Sequence, residues 1–196
     1  MSDEANKNEK EENGAGMAAQ HLLKSRSIII SGEIDQKLAE KVTAQLLILQ
    51  EMGDEPIKLF INSQGGHVEA GDTIHDMIQF VKPKVLTIGT GWVASAGITI
   101  YLGAEKQDRY TLPNTRFMIH QPLGGVQGRV SDIEIEANEL LRARERINKL
   151  ISDATGQPLE KVAQDTDRNY WMSPEQAIEY GIATHLISSW NDLEVS

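Results

Sequence analysis

The chain predicts an α/β fold, and three observations carry that prediction. Short apolar runs that fit buried strands (SIIIS at Ser27–Ser31, IKLFIN at Ile57–Asn62, VLTIGT at Val85–Thr90) alternate with amphipathic segments of helical period. The connections between them are short, which favours right-handed strand–helix–strand crossovers. The 196 residues are 40% hydrophobic and 24% charged, enough for one domain with a substantial core.

Taken in order, residues 1–16 (MSDEANKNEKEENGAG) have no apolar period and too little to bury to offset ordering entropy. They are expected as a disordered acidic tail, with residues 17–196 forming a single domain. Met17–Lys24 reads as a short helix. After the Ser27–Ser31 strand, Asp35 is placed to cap a helix on which Leu38, Val42, Leu46 and Leu49 recur at helical spacing, and Gly53 stops it. Ile57–Asn62 is the next strand. Ser63–Gly66 reads as a turn whose adjacent glycines permit positive φ and close backbone approach. A helix from Val68 to Val81 follows, with Ile74, Ile78 and Val81 on one face, and Pro83 ends it.

Lys84–Glu105 is the stretch around which the chain is organised: a buried strand, a Gly-rich turn, then a short apolar helix whose first turn carries Ser95. A hydroxyl there sits over free backbone N–H groups and the positive end of the helix dipole. A serine nucleophile with an oxyanion hole is built in this way, and a simple helix cap fits the same stretch. Arg109–Thr111 and Thr115–Ile119 read as extended pieces. The second leads to His120, whose imidazole is placed to point into a cleft; a buried structural histidine fits equally.

Gly124–Gly128 is flexible and leads into the longest helix, Ser131–Ala154, with Ser131 and Glu134 as a capping box, an apolar stripe through Ile133, Ala137, Leu140, Ile147 and Ile151, and Gly156 as its stop. Its length exceeds what one small core needs, so its outer part is a candidate subunit contact. Pro158 opens a short helix. Ser173, Pro174 and Gln176 signal another, which Gly181 stops, and Ala183–Ser188 is the final strand.

Composition excludes several function classes. With 19 Lys and Arg against 29 Asp and Glu, the formal net charge is −10, which argues against a nucleic-acid surface. The absence of cysteine excludes disulfides, thiolate metal sites and a cysteine nucleophile. No apolar run approaches the roughly 18 residues of a spanning helix, and the N-terminus is unlike a secretory signal, so a soluble cytoplasmic protein with no membrane partner is expected. His67 and His75 lie near Glu69, Asp72 and Asp76, but eight residues apart, beyond the i,i+4 spacing of helical zinc motifs. They read as solvated surface, and neither a metal nor another cofactor is expected.

Taken together, the motifs resemble the proteolytic subunits of the Clp protease, in the ClpP/crotonase superfamily. They are Phe60-Ile61-Asn62-Ser63-x-Gly65-Gly66, Gly91-x-x-Ala94-Ser95-x-Gly97, Met118-Ile119-His120-Gln121-Pro122-Leu123-Gly124-Gly125, Asp165-Thr166-Asp167-Arg168 and Met172-Ser173. They run in family order over nearly the whole folded part. The resemblance implies a ClpP/crotonase-like fold with a protruding handle helix. It implies a serine peptidase working inside a barrel of two stacked heptameric rings, made of copies of itself or of a second ClpP-type subunit. Unfolded polypeptide would be supplied by a Clp-family AAA+ unfoldase. Ser95 stands at the nucleophile position, His120 at the general base, and Gly66 and Ala96 at the two oxyanion-hole N–H positions.

The third position is the main departure: Asn169 stands where the family usually has Asp. Its amide oxygen can accept from the imidazole but supplies no charge. Gln64, Trp92 and Ala96 replace a usual Pro, Gln and Met, and Trp92 is expected to add bulk to a pocket or to the core. The acidic tail does not resemble the family's apolar axial loop. Phe60, Phe80 and Tyr110 fall on aromatic positions of the pocket where the unfoldase docks. A weakly active or inactive structural paralogue in a mixed barrel is the alternative. An acyl-CoA enzyme of the crotonase branch is disfavoured by the Ser95–His120 spacing.

Overall fold

The computed structural model describes residues 16–193; the tail expected over 1–16 lies, Gly16 apart, outside them. Helix α1 covers residues 16–24. Strands β1 (Ser27–Ile34), β2 (Ile57–Gly66), β3 (Val85–Ala94) and β4 (Arg109–Thr111) lie side by side and parallel, and β7 (His185–Leu186) adds to β4. Helices α2 (Gln36–Met52) and α3 (Val68–Phe80) make the first two crossovers.

The sheet forks at β3. Its first half, Thr87–Gly89, pairs with β4, and its second half, Trp92–Ala94, pairs with β5 (Arg116–Ile119). Gly91 sits at the fork with φ +61, and a Cβ there would lie 2.5 Å from the Asn62 amide oxygen. β6 (Tyr170–Met172) runs antiparallel to β5 and completes this branch. The remaining helices are α4 (Ala96–Tyr101), α5 (Val130–Thr155), α6 (Leu159–Asp165) and α7 (Pro174–Tyr180).

Alternation along the strands buries both faces. Ile28, Ile30 and Ile34 of β1, with Ile57, Leu59 and Ile61 of β2, meet Val42, Leu46 and Leu49 of α2 and Ile74 of α3 in the main core. Each such side chain contributes about 1.5–3 kcal/mol on full burial. Leu86, Ile88 and Tyr110 face the other way, into a smaller cluster with Ile187 and Leu193.

The α/β architecture expected from sequence is therefore the one found, with the unpredicted strand β6 and four further local differences. Ser63–Gly66 is not a turn but the end of β2, because Gly65 and Gly66 pair with Glu33 and Ile34 of a longer β1. β3 likewise runs through the predicted Gly-rich turn to Ala94, so Ser95 lies just before α4 rather than inside its first turn. α5 starts at Val130 without a side-chain cap; Ser131 falls inside its first turn, where Asp132 supplies the favourable negative charge. β7 is shorter than Ala183–Ser188, because the Ser188 and Ser189 N–H groups turn to the Asp192 carboxylate instead of extending the ladder.

The predicted capping box at Ser173 and Gln176 is present, and Gly156 and Gly181 end their helices in the left-handed conformation. The inner end of α5 packs on the core through Ile147 and Ile151. Its outer half leaves the domain with Val130, Ile135 and Leu141 mostly exposed.

Candidate active site

Three segments of the forked sheet converge on Ser95. It follows β3 directly and holds φ +56, ψ −122, a conformation unusual for a residue with a side chain. Its N–H donates to the Met118 carbonyl, tying the sharp turn to β5, and its hydroxyl caps nothing. The helix-cap reading of Ser95 is thereby overturned.

The same turn needs Gly65. A Cβ there would stand 2.6 Å from the Ser95 Cβ and 3.1 Å from its Oγ. At Gly66 a Cβ would meet the Ile34 carbonyl oxygen at 2.1 Å. The two glycines thus have separate jobs: one leaves room for the serine, the other for β1.

His120 lies just past the end of β5. Its Nε2 is 2.8 Å from Ser95 Oγ and its Nδ1 is 3.0 Å from Asn169 Oδ1. With Nδ1–H donating to the amide oxygen, Nε2 is left with its lone pair toward the serine hydroxyl, as proton removal requires. Ser95 and His120 are half-buried and Asn169 is exposed.

Neither neighbouring carboxylate substitutes for Asn169. Asp165 pairs with Lys161 at 2.6 Å and accepts from the Tyr180 hydroxyl at 2.9 Å. Burial and that carboxylate together push the Tyr180 hydroxyl's pKa up. Asp167 faces Arg144 at 3.4 Å.

The loop that delivers Asn169 is held by residues that the sequence offered only as members of motifs, with no role of their own. The Gln121 N–H donates to the Thr166 carbonyl at 2.6 Å, and Gln121 Nε2 to the Asp167 carbonyl at 2.8 Å. Thr166, fully buried, donates its hydroxyl to Asn148 of α5 at 2.8 Å. The signals available were the position of Gln121, directly after His120, and the Asp165-Thr166-Asp167-Arg168 motif just before Asn169.

Ala96 is the first residue of α4, so its N–H has no intrahelical acceptor. It also lines a narrow pocket beside Ser95 and His120, walled by Val68, Ile98, Thr99, Pro122, Ile147 and Ile151. A small or aliphatic side chain matches that lining. Trp92 takes no part in it; it stacks on Trp171 instead, with ring centroids 6.2 Å apart.

His75, expected on a solvated surface, is buried, with Nδ1 2.7 Å from the Thr99 carbonyl. Asp72 pairs with Arg146 at 2.7 Å. Among the described residues no group of His, Asp and Glu is arranged to hold a metal, and no helix is long and apolar enough to cross a membrane.

Comparison with known proteins identifies the family. The family model described as Clp protease matches residues 9–189. The "ATP-dependent Clp protease proteolytic subunit 3" of Rhizobium etli is 56% identical, over 88% of this chain and 89% of that protein. The "ATP-dependent Clp protease proteolytic subunit 2" of Pseudomonas aeruginosa is 48% identical, over 89% of this chain and 87% of its own length. The solved structure of ClpP1 from Listeria monocytogenes superposes with a TM-score of 0.82 at 56% identity, covering 90% of this chain and 99% of that one. An Asn-to-Asp variant of the same ClpP1 gives a TM-score of 0.85.

Proposed function

The chain belongs to the Clp protease family, and from that premise we propose that it is a serine endopeptidase subunit acting through Ser95, His120 and Asn169. The observation that carries the reading is the unbroken chain of hydrogen bonds from Ser95 Oγ through both imidazole nitrogens to Asn169 Oδ1. His120 takes the hydroxyl proton as Ser95 attacks the peptide carbonyl, then returns it to the departing amine. Asn169 fixes the tautomer and ring orientation. The N–H groups of Gly66 and Ala96 receive the oxyanion of the tetrahedral intermediate, each typically worth a few kcal/mol.

The pocket beside Ser95 takes the side chain preceding the scissile bond. Its walls favour small aliphatic groups.

The exposed apolar residues of the outer half of α5 are the surface through which subunits join in stacked heptameric rings, with copies of this chain or a second ClpP-type subunit. Phe60 and the buried Tyr110 belong to the smaller cluster, and Phe80, at the end of α3, is mostly exposed. Tyr110 is thus core, and Phe60 and Phe80 are the aromatics against which a Clp-family AAA+ unfoldase docks to feed unfolded polypeptide, in the cytoplasm.

Hydrolysis of a short fluorogenic peptide by the purified chain tests the reading. Activity is expected in the parent and is abolished in Ser95→Ala; cleavage by Ser95→Ala at the parent rate overturns it. The neutral Asn169 favours one second reading, a weakly active or inactive structural paralogue that works within a mixed barrel. That reading predicts little or no turnover until a second ClpP-type chain is added.

A further inference from the structure

We propose that Trp171 is a positioning residue for the peptidase reaction: its stack on Trp92 and its contact with Arg116 anchor strand β6 and so hold Asn169 against His120. The proposal rests on the triad reading above. β6 has only three residues and, among the described residues, pairs with β5 alone, so its backbone ladder is short. It is also the element on which the placement of Asn169 depends, since Asn169 immediately precedes it. A carboxylate at this position would be drawn to a charged imidazole. A neutral amide exerts no such pull, so its placement falls to the strand that carries it.

Strand alternation puts the stack and the triad on one face. In β5, Phe117 and Ile119 enter the main core, leaving Arg116, Met118 and, just beyond the strand, His120 on the opposite side. In β6, Met172 enters the same core, leaving Trp171 and, two residues earlier, Asn169 on that opposite side. Trp171 pairs across the ladder with Met118, two residues from His120.

Two contacts secure Trp171. The Trp92 ring lies 12° from parallel with centroids 6.2 Å apart, and the Arg116 guanidinium carbon lies 4.3 Å from the Trp171 ring centroid. Trp92 comes from β3, three residues before Ser95, and Arg116 from β5, four before His120. The stack therefore joins the three strands that supply the three triad residues. Stacked rings and cation–π contacts of this kind add attraction beyond the area they bury.

The test is a double-mutant cycle on peptide hydrolysis with the full chain: parent, Trp171→Ala, Asn169→Ala and the pair. If Trp171 acts through Asn169, Trp171→Ala lowers kcat about tenfold with KM little changed, and in the Asn169→Ala background it changes kcat less than about twofold. An equal loss in both backgrounds, or no loss in the parent, overturns the proposal. Trp92→Ala removes a 42%-exposed partner and carries the same cycle if Trp171→Ala does not fold.

A second readout is independent of turnover. Imidazole ¹⁵N shifts, with His120 assigned by difference against His120→Gln, report whether Nδ1 keeps its proton. Loss of the Nδ1–H signature in Trp92→Ala supports the proposal, and an unchanged signature overturns it. If the parent shows that signature but cleaves no peptide, the peptidase reading falls while the ¹⁵N comparison still decides the role of the stack.

Discussion

Replacing Asn169 by Asp isolates the one charge this triad lacks. On the proposed mechanism His120 becomes an imidazolium in the transition state, and the group 3.0 Å from its Nδ1 is a neutral amide oxygen. An aspartate there places opposite charges about 4 Å apart. Their attraction is about 1 kcal/mol if the pair behaves as in bulk water and about 4 kcal/mol at the effective dielectric of a protein surface. The His120–Asn169 hydrogen bond is exposed, which favours the lower part of that range. The expected gain in kcat is therefore between about 5-fold and about 10³-fold. The reverse change in another serine protease costs about 10⁴, but that loss includes a wrong histidine tautomer. Here the amide oxygen already selects the productive tautomer, so the gain stays below that figure. A fluorogenic-peptide assay across pH checks it. Because the carboxylate stabilises the imidazolium while the reaction needs neutral imidazole, the acid limb of the kcat/KM profile also moves to higher pH. No gain would refute the electrostatic account of the triad. A gain near 10⁴ would refute the hydrogen bond as described, since it would mean that Asn169 presents its NH₂ group and holds the wrong tautomer.

Two further substitutions probe the ground on which Ser95 stands. Gly65→Ala, at φ +102 and with its Cβ 2.6 Å from that of Ser95, displaces the nucleophile; peptidase activity falls at least about 100-fold and stability by about 1–3 kcal/mol, read by active-site labelling and denaturant unfolding. A labelled, fully active variant would show that the serine turn is not constrained by β2. Ile147→Ala shortens one wall of the pocket beside Ser95. The ratio of kcat/KM for a peptide with phenylalanine before the scissile bond to one with alanine rises about tenfold or more, and an unchanged ratio would put the specificity pocket elsewhere.

The parts of this site legible in the sequence are those fixed by local chemistry. Ser95 follows an apolar strand and precedes an apolar helix, and His120 ends another apolar strand, so backbone direction alone brought both under suspicion. Their pairing was not local, and it took the resemblance of the surrounding motifs to join them. The glycines show the limit of local reading: Gly65 and Gly66 look like a turn because two glycines usually make one. They are strand because β1 extends to Ile34 and offers partners, which no window around residue 65 contains. The same holds for Trp92, whose bulk suggested a pocket wall or a place in the core. Its partner is Trp171, 79 positions away and brought near only when the sheet forks at Gly91 and β6 folds back on β5. β6 itself gave no period to detect, since three residues cannot show alternation. Asn169 therefore stood out in sequence as a departure in chemistry, whereas what keeps it in place is tertiary. Gln121 and Asp167 hold its loop on one side and the Trp92–Trp171–Arg116 stack holds its strand on the other. A triad with a neutral third member depends on such supports more than one whose members attract each other, so residues two or more positions from the chemistry carry part of the catalytic geometry.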